Sequence, residues 1–204
     1  MKNPIKSVLL STRKFKKWIF TIFIIYCTSC LTGIVMVHSG NTFALSYSDK
    51  IISNANLNNQ SSINYNQGNR FKAAVIDVSE NLFIGSIPQS ILGLGVIFPF
   101  FTTAYQGWIG GIVSVDNMQQ SRLKKTKTAL YYFITIILQF IPYSLTIGAG
   151  LGLGINTYKL NKSRKLLEYQ LDKSSLKGVF RIYLLAIPLF FIASCFEFLS
   201  NWNN

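Results

Sequence analysis

Charged residues are confined to short stretches of this chain, and the gaps between them are long and apolar. The segments 18–48, 81–115 and 128–158 contain no Asp, Glu, Lys or Arg, and the segment 182–204 contains Glu197 alone. One transmembrane helix needs about 20 predominantly apolar residues, so each gap is long enough to cross or enter a bilayer. The remaining polar stretches are too short for a typical soluble domain of about 100 residues. The chain therefore predicts an all-α, polytopic helical membrane protein.

The positive charge is distributed in a way that indicates membrane topology. The net charge is +13, and residues 1–17 carry six positive charges and no acid, 116–128 carry four against one, and 159–181 carry seven against two. The segment 39–81 carries three of each sign. Basic loops next to apolar spans stay in the cytoplasm, where they also meet anionic lipid. We therefore expect membrane lipids, not nucleic acid, as the partners of this charge.

Three regions follow from this pattern. Residues 1–38 form a basic cytoplasmic amino terminus and a first transmembrane helix, Trp18–His38, which we expect to remain as an uncleaved anchor. Residues 39–80 form an extracytoplasmic, Asn-rich, partly flexible loop that ends in an amphipathic helix over 71–80. Residues 81–204 form the main membrane domain.

The second apolar block, 82–115, is too long for one straight span. Its 34 residues would make a helix of about 50 Å, against a hydrocarbon core of about 30 Å, and Gly and Pro interrupt it. We expect a broken helix, or a helix with a re-entrant piece. With the other blocks this gives about four to five membrane segments, some of them broken or re-entrant.

The third block, 128–158, poses a problem of topology. Both of its flanks are basic, so the positive-inside rule returns the chain to the cytoplasm. Its 31 residues are too few for two spans of about 20. A re-entrant hairpin or two short tilted halves is the preferred solution, and one crossing that places 159–181 outside is the alternative. The preferred topology places the amino terminus, 116–128 and 159–181 inside, and 39–80 and the carboxyl terminus outside.

Blocks two and three share a short pattern. Ile-Pro-Gln-Ser-Ile at 87–91 resembles Ile-Pro-Tyr-Ser-Leu at 141–145, and glycines at alternate positions follow each. Paired, interrupted apolar segments are typical of transporter sites built from broken helices. The alternative is that the glycines only let helices pack closely. The candidate residues of this echo are Pro88, Pro142, Gly150 and Gly152.

Glu197 is the one acid inside an apolar block. An intramembrane carboxylate is costly, so it must be neutral or paired, and it counts as a functional candidate. The alternative is a carboxyl close enough to the outer face to reach water. Its possible partners are Arg181, Gln139, Gln106 and Tyr143.

No enzyme chemistry is indicated. Cys27 and Cys30 form a CxxC pair without a second pair or a histidine at ligand spacing, and His38 is the single histidine. A nucleophilic triad or a metal site therefore has too few residues to build on. We expect no enzymatic activity, no metal and no cofactor.

Several motifs together resemble the stage II sporulation protein M-like membrane family, formerly the DUF95 domain. They are "LFIGSIPQSILGLGVIFPFF" after Asn81, then "AYQGWIGGIVSV", "FIPYSLTIGAGLGLGI" and "IASCFEFLS", which follow the order and spacing of the family over about residues 71–200. By this resemblance the leading Asn of the family falls on Asn81, its Asn-Gly pair on Gln106-Gly107, and its Ala-x-x-x-Glu element on Ala193 and Glu197.

Two departures accompany the resemblance. The family's His-Gly is replaced at 135–137, and its Glu-Leu-Pro is replaced by Phe140-Ile141-Pro142, with Gln139 adjacent. The resemblance implies a bacterial inner-membrane subunit that serves as a partner rather than an enzyme. Family members occur in sporulation engulfment and beside ATPases of circular bacteriocin export and self-protection.

Two hypotheses of function follow. The favoured one is a permease-like component of an ATPase-linked transport, peptide secretion or self-immunity system, and the alternative is a membrane scaffold that recruits cell-wall remodelling enzymes. In the first, basic residues form a cytoplasmic surface for an ABC-type ATPase subunit, other membrane proteins or anionic lipid; a homo-oligomer is also possible. The residues of this surface are Arg122, Lys124, Lys125, Lys127, Lys162, Arg164 and Lys165.

Overall fold

The computed structural model describes residues 4–116, 118–164 and 170–200, and these form helices and connecting turns with no β-strand. Val115 and Ser121 form an isolated bridge. The predicted all-α class is thus confirmed for the described residues. The helices are α1 Pro4–His38, α2 Thr42–Asn58, α3 Gln60–Asn66, α4 Arg70–Ser79, α5 Ile87–Leu92, α6 Phe98–Ile112, α7 Thr126–Arg164 and α8 Lys173–Leu199.

Three of these helices are long and apolar enough to cross a membrane. The qualifying segments are Lys6–His38 of α1, Thr126–Lys162 of α7 and Lys173–Leu199 of α8. The sequence predicted about four to five membrane segments, and among the described residues three helices meet this standard.

The surface and interior of the bundle have the polarity expected in lipid. Thr146 and Ser194 are fully buried, whereas Phe20, Ile84 and Phe101 are 65%, 75% and 70% exposed. Soluble proteins rarely leave large apolar side chains exposed in contiguous patches. In lipid, no hydrophobic effect drives such side chains inward, while small polar residues pack and hydrogen-bond between helices.

The long helices alternate in direction. Tyr131 near the start of α7 donates to the Glu197 carbonyl oxygen at 2.6 Å, and Asn156 near the end of α7 donates to Ser175 at 2.9 Å, so α7 and α8 are antiparallel. Lys14 on α1 contacts Ser174 at 3.2 Å, which makes α1 parallel to α8. We call the end with the starts of α1 and α8 the basic end. The opposite end, with α2–α4, is the Asn-rich end.

The re-entrant prediction for the third block is wrong, because α7 is one continuous helix of 39 residues, about 58 Å long. Pro142 lies inside α7 without ending it. The prediction failed because it placed 116–128 at the basic end. The structure places this segment at the Asn-rich end: Gln119 donates to Asp49 at 3.0 Å, and Ser48 of α2 donates to the Ile112 carbonyl at 2.9 Å. One crossing by α7 then suffices.

The alternate glycines of α7 form two packing faces. Residues two apart lie on roughly opposite sides of a helix, and residues four apart lie on the same side. A Cβ at Gly148 would lie 2.5 Å from the Ile19 Cα, and one at Gly152 would overlap Phe15, both on α1. Gly150 faces Ser90, and Gly154 faces Gly93. The run therefore lets α1 and the second block approach α7 from opposite sides.

The second block is broken, as the sequence predicted, and forms a helical hairpin. A π-helical turn, Glu80–Ser86, leads into α5, a 3-10 turn follows at Gly93–Gly95, and α6 returns to the Asn-rich end. The reversal includes a tight turn, in which Ile97 N–H donates to the Gly95 carbonyl and Val96 has φ +56°. Such a φ is strained for a β-branched residue. Each arm is about 20 Å long.

The segment 39–80 is more ordered than predicted, because asparagines cap its helices. Asn41 accepts from the Ala44 N–H at 3.0 Å, and Asn59 accepts from the Ser62 N–H at 2.9 Å, as N-caps of α2 and α3. The predicted amphipathic helix is confirmed as α4. This helix buries Ala73 and Ala74, whereas Phe71 is 63% exposed.

Candidate functional site

Polar side chains from α4, the π-helical turn, α7 and α8 meet near the Asn-rich end. We call them the polar cluster, and its members are Asp77, Asn81, Gln139, Tyr143, Ser194 and Glu197. The cluster joins two of the long helices to the start of the hairpin.

Helical spacing brings each pair of cluster residues to one face. Asp77 and Asn81 are four residues apart across the junction of α4 and the π-helical turn, and Asn81 donates to Asp77 Oδ2 at 2.8 Å. Gln139 and Tyr143 are four apart on α7. Such pairs lie one above the other, so each helix contributes two side chains at adjacent depths.

Hydrogen bonds connect the elements through the two amides. Asn81 accepts from the Tyr143 hydroxyl at 2.7 Å and lies 3.5 Å from Gln139 Oε1. Gln139 Nε2 donates to Glu197 Oε2 at 3.1 Å. Gln139, one of the four residues predicted as partners of Glu197, is therefore its hydrogen-bond partner. The side chain of Glu197 reaches a residue three turns inside α7, which favours a role in the bundle over simple contact with interfacial water.

Asp77 accepts further hydrogen bonds, and its pKa is shifted by its surroundings. Ser194 of α8 donates to Asp77 Oδ2 at 2.6 Å. Burial raises the pKa of Asp77 to about 6, and the neighbouring Glu80 carboxylate also raises it, whereas the hydrogen bonds from Ser194, Gln139 and Asn81 lower it. Within the described part of the chain, neither Asp77 nor Glu197 forms an ion pair with Lys or Arg.

The arrangement is suited to binding a proton. Two carboxyl groups lie in one hydrogen-bond network and repel each other when both are ionised. No described Lys or Arg lies within ion-pair distance of either carboxyl, although Arg122 is near enough to attract the Glu197 carboxylate. Protonation of one carboxyl removes this repulsion and supplies a donor.

Gln106 and Gly107 lie outside the polar cluster, on the face of α6 that packs against α1. Gln106 accepts a hydrogen bond from the Tyr26 hydroxyl, and Tyr26 stacks on Phe140 with ring centroids 4.5 Å apart. A Cβ at Gly107 would lie 2.6 Å from the Tyr26 carbonyl oxygen. This pair therefore serves the packing of α1 on α6.

The residues of the repeated Ile-Pro pattern also pack helices together, and they do not form one shared site. Pro88 lies at the start of α5, whereas Pro142 lies within α7. Gly150 contacts the hairpin and Gly152 contacts α1. The two segments run side by side, and Ser90 donates to the Thr146 carbonyl at 3.0 Å.

The predicted basic surface is wrong as a single surface, because its members lie at opposite ends of the bundle. Arg122, Lys124 and Lys125 belong to the connection between α6 and α7 at the Asn-rich end, and Lys127 lies in the first turn of α7. Lys162 is exposed near the end of α7 at the basic end, and the backbone of Arg164 closes that helix. Lys165 and the side chain of Arg164 lie outside the described residues.

Sequence reasoning missed Asp77 and Ser194. Asp77 lies in the segment predicted as an amphipathic helix, and the available signal was its spacing of four residues from Asn81. Ser194 is fully buried between Ala193 and Cys195, and small residues of this kind mark helix contacts in membranes.

No metal centre is recognisable in the described ranges, which contain no group of three or more His, Cys, Asp and Glu side chains suited to one. The three cysteines are free thiols. That the protein uses no metal or cofactor and has no enzymatic activity stays a prediction.

No known family model, no curated protein and no solved structure matches this chain. The similarity to stage II sporulation protein M-like proteins accordingly stays a hypothesis based on the motifs quoted above.

Proposed function

We propose that this protein is a non-enzymatic, permease-like membrane subunit of an ATPase-linked transport system, of the kind that exports a peptide or protects the cell from one. The observation that carries the proposal is the polar cluster, in which two carboxyl groups that form no ion pair with a described Lys or Arg join a broken hairpin to α7 and α8. Buried ionisable groups and interrupted helices are costly in a membrane, and transport proteins use both.

In this proposal the polar cluster takes up and releases a proton as the hairpin changes its contact with the spans. Asn81 and Gln139 are the bridging residues, because each belongs to a different element and both contact the carboxyl network. Ionisation of both carboxyls weakens the cluster by repulsion, and protonation restores it. The cluster thus couples proton occupancy to the position of the hairpin.

The orientation follows from charge. The segments 1–17 and 159–181 at the basic end contain six and seven Lys and Arg, whereas 39–81 and 116–128 at the Asn-rich end contain three and four. Basic ends are retained in the cytoplasm. We infer a multi-pass protein of the bacterial cytoplasmic membrane with its amino terminus inside and the Asn-rich end outside.

The ATPase partner is then expected at the basic end. Lys159 and Lys162 are exposed there, on the last described turns of α7. Reversal of both to Glu should release a co-purifying ATPase in mild detergent. The matched control reverses Lys124 and Lys125, which are exposed at the opposite end, and should leave the complex intact.

The alternative function, recruitment of cell-wall remodelling enzymes, is supported by the folded outer region. Leu57 of α2 and Phe71 of α4 are 73% and 63% exposed there. Identification of the proteins that co-purify distinguishes the two functions. An ATPase lost only in the Lys159 and Lys162 variant supports transport; a cell-wall hydrolase lost on changing Leu57 to Ser supports the scaffold and contradicts transport.

A further inference from the structure

A lateral groove between α1 and α7 has no role in the function proposed above. Its volume is about 620 Å³, within the range of about 300–1,000 Å³ common for small-molecule sites. Its walls are apolar and include Phe20, Phe23, Ile141 and Leu145. Phe20 is 65% exposed, so the groove opens sideways from the bundle, toward the lipid.

The groove changes character toward the basic end, where Lys16 and Lys17 line it. Both lysines are exposed, and neither forms an ion pair with a described carboxylate. Lys14, two residues earlier, is by contrast 3.9 Å from Asp172. Lys17 Nζ lies 5.2 Å from the Trp18 ring centroid, a contact that holds the ammonium group at the edge of the apolar block.

The floor of the groove contains an unsatisfied polar atom. Ser144 is 1% exposed and lines the groove, and its hydroxyl has no hydrogen-bond partner within the described residues. Thr146, two residues along α7, instead donates to the Pro142 carbonyl at 3.1 Å. The Ser144 oxygen is almost inaccessible from the groove, so the surface offered to a bound molecule here is nearly all apolar, which suits an acyl chain.

We propose that this groove binds an anionic phospholipid of the inner leaflet. One acyl chain lies along the apolar walls, and the phosphate contacts Lys16 and Lys17 at the depth where headgroups lie. Basic pockets between transmembrane helices on the cytoplasmic side are suited to acidic headgroups. A soluble phosphate compound lacks the chain that the apolar walls require. The inference goes beyond the proposed transport role and rests on the membrane location and on the orientation inferred above, with the basic end inside.

The test uses the whole protein, purified in a neutral detergent and stripped of lipid. Phosphatidylglycerol and phosphatidylcholine are titrated separately, and native mass spectrometry counts the lipid retained. Two lysines near an anionic headgroup contribute a factor of about 30 in affinity, so phosphatidylglycerol should be retained at correspondingly lower concentration. Equal retention of the two lipids would overturn the proposal.

Variants locate the site. Changing Lys16 and Lys17 to Gln should reduce phosphatidylglycerol retention to that of phosphatidylcholine, and the control Lys124→Gln with Lys125→Gln should have no effect. If the Lys16/Lys17 and Lys124/Lys125 variants lost phosphatidylglycerol retention equally, the attraction would be nonspecific, and the groove would not be the binding site. Because all four side chains are exposed, gel filtration should show each variant folded.

A second variant tests the apolar part. Ile141 is 37% exposed on the groove wall, so Ile141→Trp should fill the groove from its rim and reduce retention of both lipids. Glycerol 3-phosphate, which has the charge but no chain, should not compete. Complete competition by glycerol 3-phosphate would overturn the proposal. So would the finding that the groove is covered by a second copy of the chain, in which case Ile141→Trp would abolish a dimer without changing lipid retention.

Discussion

Two carboxyl groups in one hydrogen-bond network are the feature at the residue scale from which the proposed function follows. Glu197 could be selected from the sequence because it interrupts an apolar block, and its partner Gln139 was among four candidates. Asp77 could not, because the polar positions of an amphipathic helix are ordinarily solvent-facing. The sequence shows which residues are out of place in lipid, but it does not show which neighbouring helix contacts them.

Substitutions at Glu197 separate hydrogen bonding from ionisation. Glu197→Gln keeps an acceptor for the Gln139 amide, so the protein should assemble normally; if the carboxyl carries a proton, export or self-protection measured in cells should fail. Glu197→Leu removes the acceptor and should weaken assembly by about 1 kcal/mol. Full activity of Glu197→Leu would contradict both roles.

The raised pKa of Asp77 predicts a pH dependence of stability. The folded protein binds the extra proton between the ordinary pKa of 3.8 and the raised one of about 6, so stability should fall as pH rises through this range. Two units correspond to about 3 kcal/mol over the whole range, of which about 1.5 kcal/mol is lost between pH 5 and pH 7.5, and this lowers the midpoint by roughly 3–6 °C. The measurement is thermal unfolding in detergent at pH 5 and pH 7.5.

The matched variant for this prediction is Asp77→Asn, which cannot ionise. Its midpoint should vary less with pH than that of the natural protein, and at pH 7.5 it should be at least as stable. A wild-type midpoint that rises between pH 5 and pH 7.5 would show that ionised Asp77 is stabilised and would contradict the proposed repulsion.

At the scale of elements, glycines decide which helices approach closely. The breaks in 82–115 could be predicted from Gly and Pro, since a helix that long does not fit a bilayer. The alternate glycines of α7 are compatible in the sequence with a broken, transporter-like segment or with close packing of a continuous helix, and the structure shows the second, with the glycines as two stripes. Either outcome satisfies the local pattern, and only the presence of neighbours on both sides of α7 selects the second.

Two adjacent glycines of α6 provide a controlled test of this packing. A Cβ at Gly111 would overlap the Cys30 carbonyl oxygen of α1, whereas one at Gly110 would lie 3.5 Å from the Phe140 ring, an ordinary contact. Gly111→Ala should destabilise the protein by about 1–3 kcal/mol through overpacking. Gly110→Ala should be neutral or stabilising by up to about 1 kcal/mol.

Thermal unfolding in one detergent compares these two variants. Equal midpoints for Gly110→Ala and Gly111→Ala would mean that α1 and α6 can move apart at no cost, and the close approach described here would be wrong.

At the scale of the whole molecule, the positive-inside rule cannot hold for every basic segment, because the structure places 116–128 at the end of the bundle opposite the basic end. It placed 116–128 inside because four positive charges are present, and this forced the third block to double back. Most of the Lys and Arg residues belong to the segments 1–17 and 159–181, which lead to the basic end, and fewer belong to 39–81 and 116–128 at the Asn-rich end. Contacts such as that of Gln119 with Asp49, absent from any charge count, determine the path of the chain.

The placement of the hairpin is the central claim, because the polar cluster and the orientation both depend on it. Single cysteines at Asn59, Lys125 and Lys162, in a protein with Cys27, Cys30 and Cys195 replaced by Ser, can be labelled in intact cells with a reagent that does not cross the membrane. We predict labelling at Asn59 and Lys125 and none at Lys162 until the cells are opened. Labelling at Asn59 with protection at Lys125 would place the two ends of the hairpin on opposite sides of the membrane and contradict the account.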